Sequence, residues 1–464
     1  MMEKYVSPIL ESIRNQGMEE ELKLAHGYAW EYMQGVDERP VFPRIQDLKN
    51  LQAFEEALKD EPEETKDIIT QLHQFGSPAT VASTGGRYFG FVTGGILPSA
   101  LASKWISDTW DQNSGLYLMS PIASKLETVV QRWMVELLKL PKETVAGYVS
   151  GSSTATLIGL ATGRNLIMDR AGYPVFKEGL FNAPTIKVVL GQGAHSTVYK
   201  ALSILGLGNE RVITVPVDEQ GRMRADQLPE MDDHTLLILQ AGHVCTGDFD
   251  DFERICQDAK EAGAYIHIDG AFGLWAAAND QFNHLTKGME LADSWSVDGH
   301  KTLNTPYDSG VILCRHEKML IQSMQMAGSY IQLSEDRDGM LYTAEMSRRA
   351  RAIELWATLK GLGKKGVADL VWELHRKAVY FAKKLECGGL EILNEVVFNQ
   401  VLVRFKSDEM TNRLIKEIQD SGVCWLGGST WQDSIVMRIS VSSYKTTYED
   451  IDRSVADILR LAKK

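Results

Sequence analysis

The chain is predicted to be an α/β protein in which a mostly parallel central sheet is covered by helices. Two observations carry this. Between about residues 145 and 313, short apolar runs of strand length alternate with helical stretches, the pattern of parallel strands joined by crossover helices. Runs such as Leu236-Leu237-Ile238-Leu239 have the length of a buried strand and fall far short of a membrane span.

Residues 1–95 read as an N-terminal helical segment. Leu48, Leu51, Phe54 and Leu58 recur at helical spacing among many charges, and the Gly-, Ser- and Thr-rich stretch from Gly76 to Gly95 reads as a loop crossing between units. Residues 96–360 form the large α/β domain. Its strands are expected at Val145–Val149, Ile186–Leu190, Val212–Val215, Leu236–Leu239, Tyr265–Ile268, Ser294–Val297 and Val311–Leu313, with helices after Thr154 and near Ser196–Leu205. A helical region from about Arg348 to Glu386 leads into a small α+β C-terminal domain, residues 361–464. That domain has strands near Val401–Phe405 and Ile435–Val441 and helices near Asn412–Ser421 and Glu449–Leu461.

Composition narrows the class. A length of 464 residues, 44% of them hydrophobic and 24% charged, suits a globular protein with a large core. A net charge of −13 argues against a sequence-independent grip on nucleic acid. The five cysteines show no C-x-x-C spacing, so neither a disulfide framework nor a metal site is expected and a cytoplasmic location fits. The N-terminus has no apolar stretch of signal-peptide length and no membrane association is expected.

Four motifs fall at the ends of predicted strands, where open parallel sheets bind ligands. Ser150-Gly151-Ser152-Ser153-Thr154 joins a strand to a helix, and its hydroxyls and N–H groups suit a phosphate, although a plain N-cap would look the same. His195, in Ala194-His195-Ser196, offers an imidazole able to stack on a flat ring or move a proton. Asp269, in Asp269-Gly270-Ala271, closes an apolar strand where a carboxylate needs a cationic partner such as a protonated pyridine nitrogen. Lys301, beside His300, follows a buried strand, where desolvation favours a neutral amine able to form an imine. Each has an ordinary reading alone. In this order they are the equipment of electron-sink catalysis: Schiff-base lysine, carboxylate, phosphate anchor and ring-stacking partner, with pyridoxal 5'-phosphate (PLP) as the cofactor.

From roughly Arg87 to Lys360 the sequence resembles the PLP-dependent group II amino acid decarboxylases, in a divergent bacterial-type form. The resemblance implies PLP fold type I, like aspartate aminotransferase, and a homodimer clasped by the N-terminal segment. It implies an L-amino acid α-decarboxylase that releases carbon dioxide and an amine. His195 matches the family's ring-stacking histidine, Asp269 and Ala271 its Asp-x-Ala motif, and His300-Lys301 its His-Lys pair, with Lys301 as the Schiff-base residue. Ser152 and Ser153 sit where the family holds the phosphate. Tyr330, in Gly328-Ser329-Tyr330, matches a loop tyrosine that donates a proton to the substrate carbon. Two departures stand out: Asp298-Gly299 replaces the family's Asn-Pro, and Gly242-His243-Val244-Cys245 replaces Gly-Thr-Thr, placing Cys245 near the cofactor's phenolic oxygen. They leave aminotransferase, aldehyde synthase and carbon–carbon lyase chemistry open, along with a catalytically silent homologue. Tyr88, Phe91 and Trp105, close to the segment Trp110–Tyr117, favour an apolar or aromatic amino acid as substrate.

Overall fold

The large sheet is built mostly from apolar runs short enough to be strands, most of them buried throughout. In the computed structural model, which describes residues 6–325 and 333–464, these runs are β1 (Val145–Val149), β2 (Lys187–Gly191), β3 (Ile213–Val215), β4 (Thr235–Gln240), β5 (Tyr265–Asp269), β6 (Ser294–Asp298) and β7 (Gly310–Cys314). They form one sheet in the order β1-β7-β6-β5-β4-β2-β3. Strands β2 to β6 run parallel, while β7 pairs antiparallel with β6 and β1. Every residue of β1, β4, β5, β6 and β7 is buried, which explains why β1, β4 and β7 read as nearly continuous apolar runs rather than alternating ones.

A second sheet lies in the C-terminal part: β8 (Glu391–Ile392), β9 (Gln400–Arg404), β10 (Gly427–Trp431) and β11 (Ser434–Ser440), in the antiparallel order β10-β11-β9-β8. Helices Asp408–Ser421 and Tyr448–Ala462 cover it around a core that includes Val401, Val403, Ile439 and Ile458. Phe89, from the segment before the large sheet, is buried in this same core.

Three expectations need correction. The spacing of Leu48, Leu51, Phe54 and Leu58 does not extend one helix: an α-helix ends at Lys49, a 3-10 turn covers Asn50–Phe54, and the chain then becomes irregular. Leu58 is 100% exposed, so its place in the pattern gains no burial, and Pro62 disfavours helix just before it. The long helix begins at Ala352 rather than Arg348 and breaks at Gly363, whose φ of 62° and ψ of 177° no helical residue adopts. Strands β8 and β10 were not anticipated. Gly427-Gly428-Ser429-Thr430-Trp431 carries no apolar alternation and is a strand through its pairing with β11.

The N-terminal segment, the lysine loop and the C-terminal unit meet at Asn304, which is fully buried. Its Oδ1 accepts the N–H groups of Gly95 (2.6 Å) and Tyr444 (2.9 Å), and its Nδ2 donates to the carbonyls of Thr302 (2.8 Å) and Ser442 (2.9 Å). Close by, a Cβ on Gly94 would fall 2.1 Å from the Lys301 carbonyl oxygen, so the crossing loop can approach the lysine only as glycine. Replacing Asn304 by alanine would strand several buried partners. Asn304→Ala is expected to cost about 2–4 kcal/mol, the scale of buried groups left unsatisfied, read as a lowered denaturant midpoint. An unchanged midpoint would show that the three segments are held together elsewhere.

Candidate active site

The site is assembled at the carboxyl ends of the parallel strands. β1 ends at Val149, the chain turns through Gly151, and Ser152 opens the helix Ser152–Arg170. A Cβ on Gly310 of β7 would lie 2.3 Å from the Gly151 Cα, so this turn sits directly against the sheet because Gly310 has no side chain. At the end of β6, Asp298 is 1% exposed. Its Oδ1 accepts the Ser152 N–H at 2.6 Å and its Oδ2 accepts the Ser152 hydroxyl at 2.8 Å. Lys301 Nζ lies 3.2 Å from Oδ2, and His300 Nε2 lies 3.6 Å from it.

The lysine loop is held by its own backbone and by neighbours. The Trp275 indole donates to the Asp298 carbonyl at 2.8 Å, and the Thr302 hydroxyl donates to the Phe272 carbonyl at 2.8 Å. The Ser309 N–H donates to His300 Nδ1 at 3.1 Å. An acceptor at Nδ1 leaves the ring's proton on Nε2, facing Asp298. Burial lowers the His300 pKa further, against the opposing effect of Asp298, and its ring stacks on Tyr307 at 4.2 Å between centroids.

Asp269 closes β5 beside Ser296 of β6. It is 8% exposed, and loss of water raises its pKa while the charges of Lys301 and His195 oppose the rise. Its Oδ1 accepts the Ala271 N–H at 3.2 Å and the Ser296 hydroxyl at 3.4 Å. The Ala271 carbonyl in turn accepts the Asp298 N–H at 2.9 Å, so the Asp-x-Ala turn also braces the second carboxylate. His195 caps the helix Ser196–Ile204; its Nδ1 accepts the Thr197 N–H at 3.3 Å and meets the Thr197 hydroxyl at 2.7 Å. Burial lowers its pKa, with Asp269 pulling the other way. The imidazole is therefore neutral near pH 7.

The structure thus brings Lys301, His300, Asp269, Ala271, His195 and Ser152 to one end of the sheet. Ser153 is exposed at the second position of the helix. Cys245 is buried on the C-terminal side, with Sγ 3.3 Å from the Ser429 hydroxyl of β10. Tyr330 lies outside the described residues. Tyr88 and Phe91 pack against Trp425, whereas Trp105 meets His26 of the N-terminal helix Glu19–Gly35. Sequence reasoning noted Asp298 as a departure and missed it as the hub of the site. It also missed Arg438 of β11, whose Nη1 donates to the Val244 carbonyl at 3.2 Å. A strand-end acid three residues before a lysine was the available signal for Asp298; for Arg438 there was none within its own segment.

These residues fit PLP. The Asp298 carboxylate already sits as an anion on the Ser152 N–H and hydroxyl, which shows that the helix N-terminus and its neighbouring cation accept negative charge. A second buried carboxylate, Asp269, suits a protonated pyridine nitrogen, and Lys301 supplies the amine.

The model of a family described as the pyridoxal-dependent decarboxylase conserved domain matches residues 47–406. An aromatic-L-amino-acid decarboxylase of Mus musculus is 25% identical, covering 94% of this chain and 97% of that protein. An L-2,4-diaminobutyrate decarboxylase of Acinetobacter baumannii is 23% identical over 78% of this chain and 76% of its own. Among solved structures, Oryza sativa TDC with PLP and tryptamine superposes with a TM-score of 0.89 at 18% identity, covering 99% of both chains.

His243, close to the turn before His195, has a pKa lowered to about 4 by burial. Its Nδ1 accepts the N–H groups of Cys245 (3.2 Å) and Thr246 (3.4 Å). The unfolded chain takes up a proton here near pH 6.5 and the native chain does not until about pH 4, so this group removes stability as pH falls through that window. His243→Asn keeps an acceptor and cannot titrate. Its stability is expected to fall less steeply than the wild type, by about 1.4 kcal/mol per pH unit, in denaturant unfolding at a series of pH values. Parallel profiles would refute a neutral buried His243.

Proposed function

This chain belongs to the pyridoxal-dependent decarboxylase family and is a PLP-dependent amino acid decarboxylase, and on that premise we propose that Lys301 Nζ carries the cofactor while an L-amino acid loses its α-carboxylate. The observation that supports this most is the convergence of Lys301, Asp269 and His195 beyond the carboxyl ends of the parallel strands β6, β5 and β2. When bound, PLP supplies an electron sink for the pair left by the departing carboxylate.

The roles of the chain's own groups follow from their surroundings. Asp269, deprived of water, is balanced by a positive charge and keeps a proton on the pyridine nitrogen. Neutral His195 presents its ring to the cofactor's face. Ser152 and Ser153 hold the phosphate at the helix N-terminus, with His300 beside them, and Ala271 and Cys245 line the remaining edges. The Tyr330 hydroxyl gives a proton to the substrate α-carbon. Tyr88 and Phe91 beside Trp425, together with relatives named for aromatic amino acids, favour an aromatic substrate.

Residues 96–360 would bind the cofactor, residues 361–464 would form the small domain, and residues 1–95 would clasp a homodimer. Most exposed large apolar side chains of the described residues precede residue 123, among them Ile13, Trp30, Ile45 and Leu118. Surface of this kind calls for a cover. No helix among the described residues is long and apolar enough to cross a membrane, and all five cysteines are free, which supports a cytoplasmic setting.

Borohydride treatment of the loaded protein followed by peptide mapping should find the reduced cofactor on Lys301, and Lys301→Ala should yield none. An adduct on another lysine would overturn the assignment. With a substrate found by screening amino acids for carbon dioxide release, Tyr330→Phe should keep PLP bound while amine formation falls about 10²-fold, the scale of a lost general acid. Undiminished amine formation would remove Tyr330 from the reaction.

A further inference from the structure

We propose that the Asp298 carboxylate and the phosphate of PLP compete for one set of donors, so that Asp298 sets how tightly the chain retains its cofactor. The proposal rests on the reading of Ser152 as a phosphate ligand and of Lys301 as the cofactor's attachment point. Asp298 takes the Ser152 N–H at 2.6 Å, the Ser152 hydroxyl at 2.8 Å and the Lys301 ammonium at 3.2 Å. Those are the first two donors a phosphate at this helix N-terminus needs and the amine that cofactor attachment consumes.

Loading therefore takes from Asp298 each of its strong partners at once. Asp298 is 1% exposed, so water cannot replace them. What remains is His300, whose Nε2–H faces Asp298 Oδ2 at 3.6 Å and whose Nδ1 is already committed to the Ser309 N–H. A carboxylate left beside an incoming phosphate in a site of low dielectric is strongly unfavourable. The carboxylate must give up Ser152 for the phosphate to take it, and that weakens binding. The second buried acid, Asp269, is separately held by Ala271 and Ser296, and is not part of this competition.

The experiment measures equilibrium binding to the cofactor-stripped full chain, comparing PLP with pyridoxal, which has the aldehyde but no phosphate. Asp298→Asn preserves the shape and the acceptor for Ser152 and removes the charge; Asp298→Ala removes both, and circular dichroism checks that each is folded. Both variants are expected to bind PLP at least about 10-fold more tightly than the wild type, a modest share of what juxtaposed like charges cost, with a smaller gain for pyridoxal, which takes only the Lys301 amine from Asp298. Equal or weaker PLP binding would overturn the proposal. So would an equal gain for pyridoxal, which would place the effect at Lys301 rather than at the phosphate. A crystal structure of the loaded wild type gives an answer that needs no variant: the Ser152 N–H should meet a phosphate oxygen, and its retention on Asp298 would refute the competition. A wild-type chain that binds no PLP would overturn the cofactor reading itself and this proposal with it.

Discussion

Two carboxylates, Asp269 and Asp298, end neighbouring strands in a place that water barely reaches, and the surrounding structure is arranged to carry their charge. The parallel sheet creates the problem. Backbone groups of β5 and β6 pair with each other and with their neighbours, so their last side chains emerge into a narrow region with few spare donors. Each acid is met in its own way. Asp298 receives a helix N-terminus, a serine hydroxyl and an ammonium. Asp269 receives one backbone N–H and one hydroxyl, and its pKa stands raised by burial. The less satisfied of the two is the one with most to gain from a bound cation.

The rest of the molecule serves to hold the lysine loop at that place. Gly94 donates its N–H to the His300 carbonyl at 3.2 Å, and Asn304 joins the same loop to Gly95 and Tyr444. The crossing segment then continues to Phe89, buried in the C-terminal core, and its Phe89 N–H donates to the Trp425 carbonyl at 2.8 Å. Units distant in sequence are thus coupled through the backbone next to Lys301. The C-terminal unit and the lysine loop are joined by backbone and amide hydrogen bonds as well as by side-chain contact.

What the sequence disclosed follows from which forces are local. Strands such as β1, β4 and β7 were legible because they are buried throughout and apolar along most of their length; Leu236–Leu239 and Tyr265–Ile268 could be read almost to the residue. Asp269, Lys301 and His195 were legible because polar residues are conspicuous at the ends of such runs. β10 was not, since Gly427–Trp431 owes its conformation to a partner strand. The same holds for Arg438 and Asn304, whose partners lie 194 and up to 209 residues away. The Leu48–Leu58 spacing misled because periodicity reports only what could be buried, and Leu58 has nothing to be buried against.

The replacement of Asn-Pro by Asp298-Gly299 is best understood as one coupled change. Gly299 donates its N–H to the Ser309 carbonyl at 2.9 Å, a bond that a proline at this position could not make. That bond closes the loop and brings the Ser309 N–H onto His300 Nδ1. The histidine is then fixed as the tautomer whose Nε2–H points at Asp298. An acid at 298 followed by proline would lack that bond and face an imidazole free to turn its lone pair toward the carboxylate, which repels it. A glycine without the acid would orient a donor toward nothing charged. A residue at 299 with an N–H thus suits an acid at 298, with His300 and Lys301 held beside that acid.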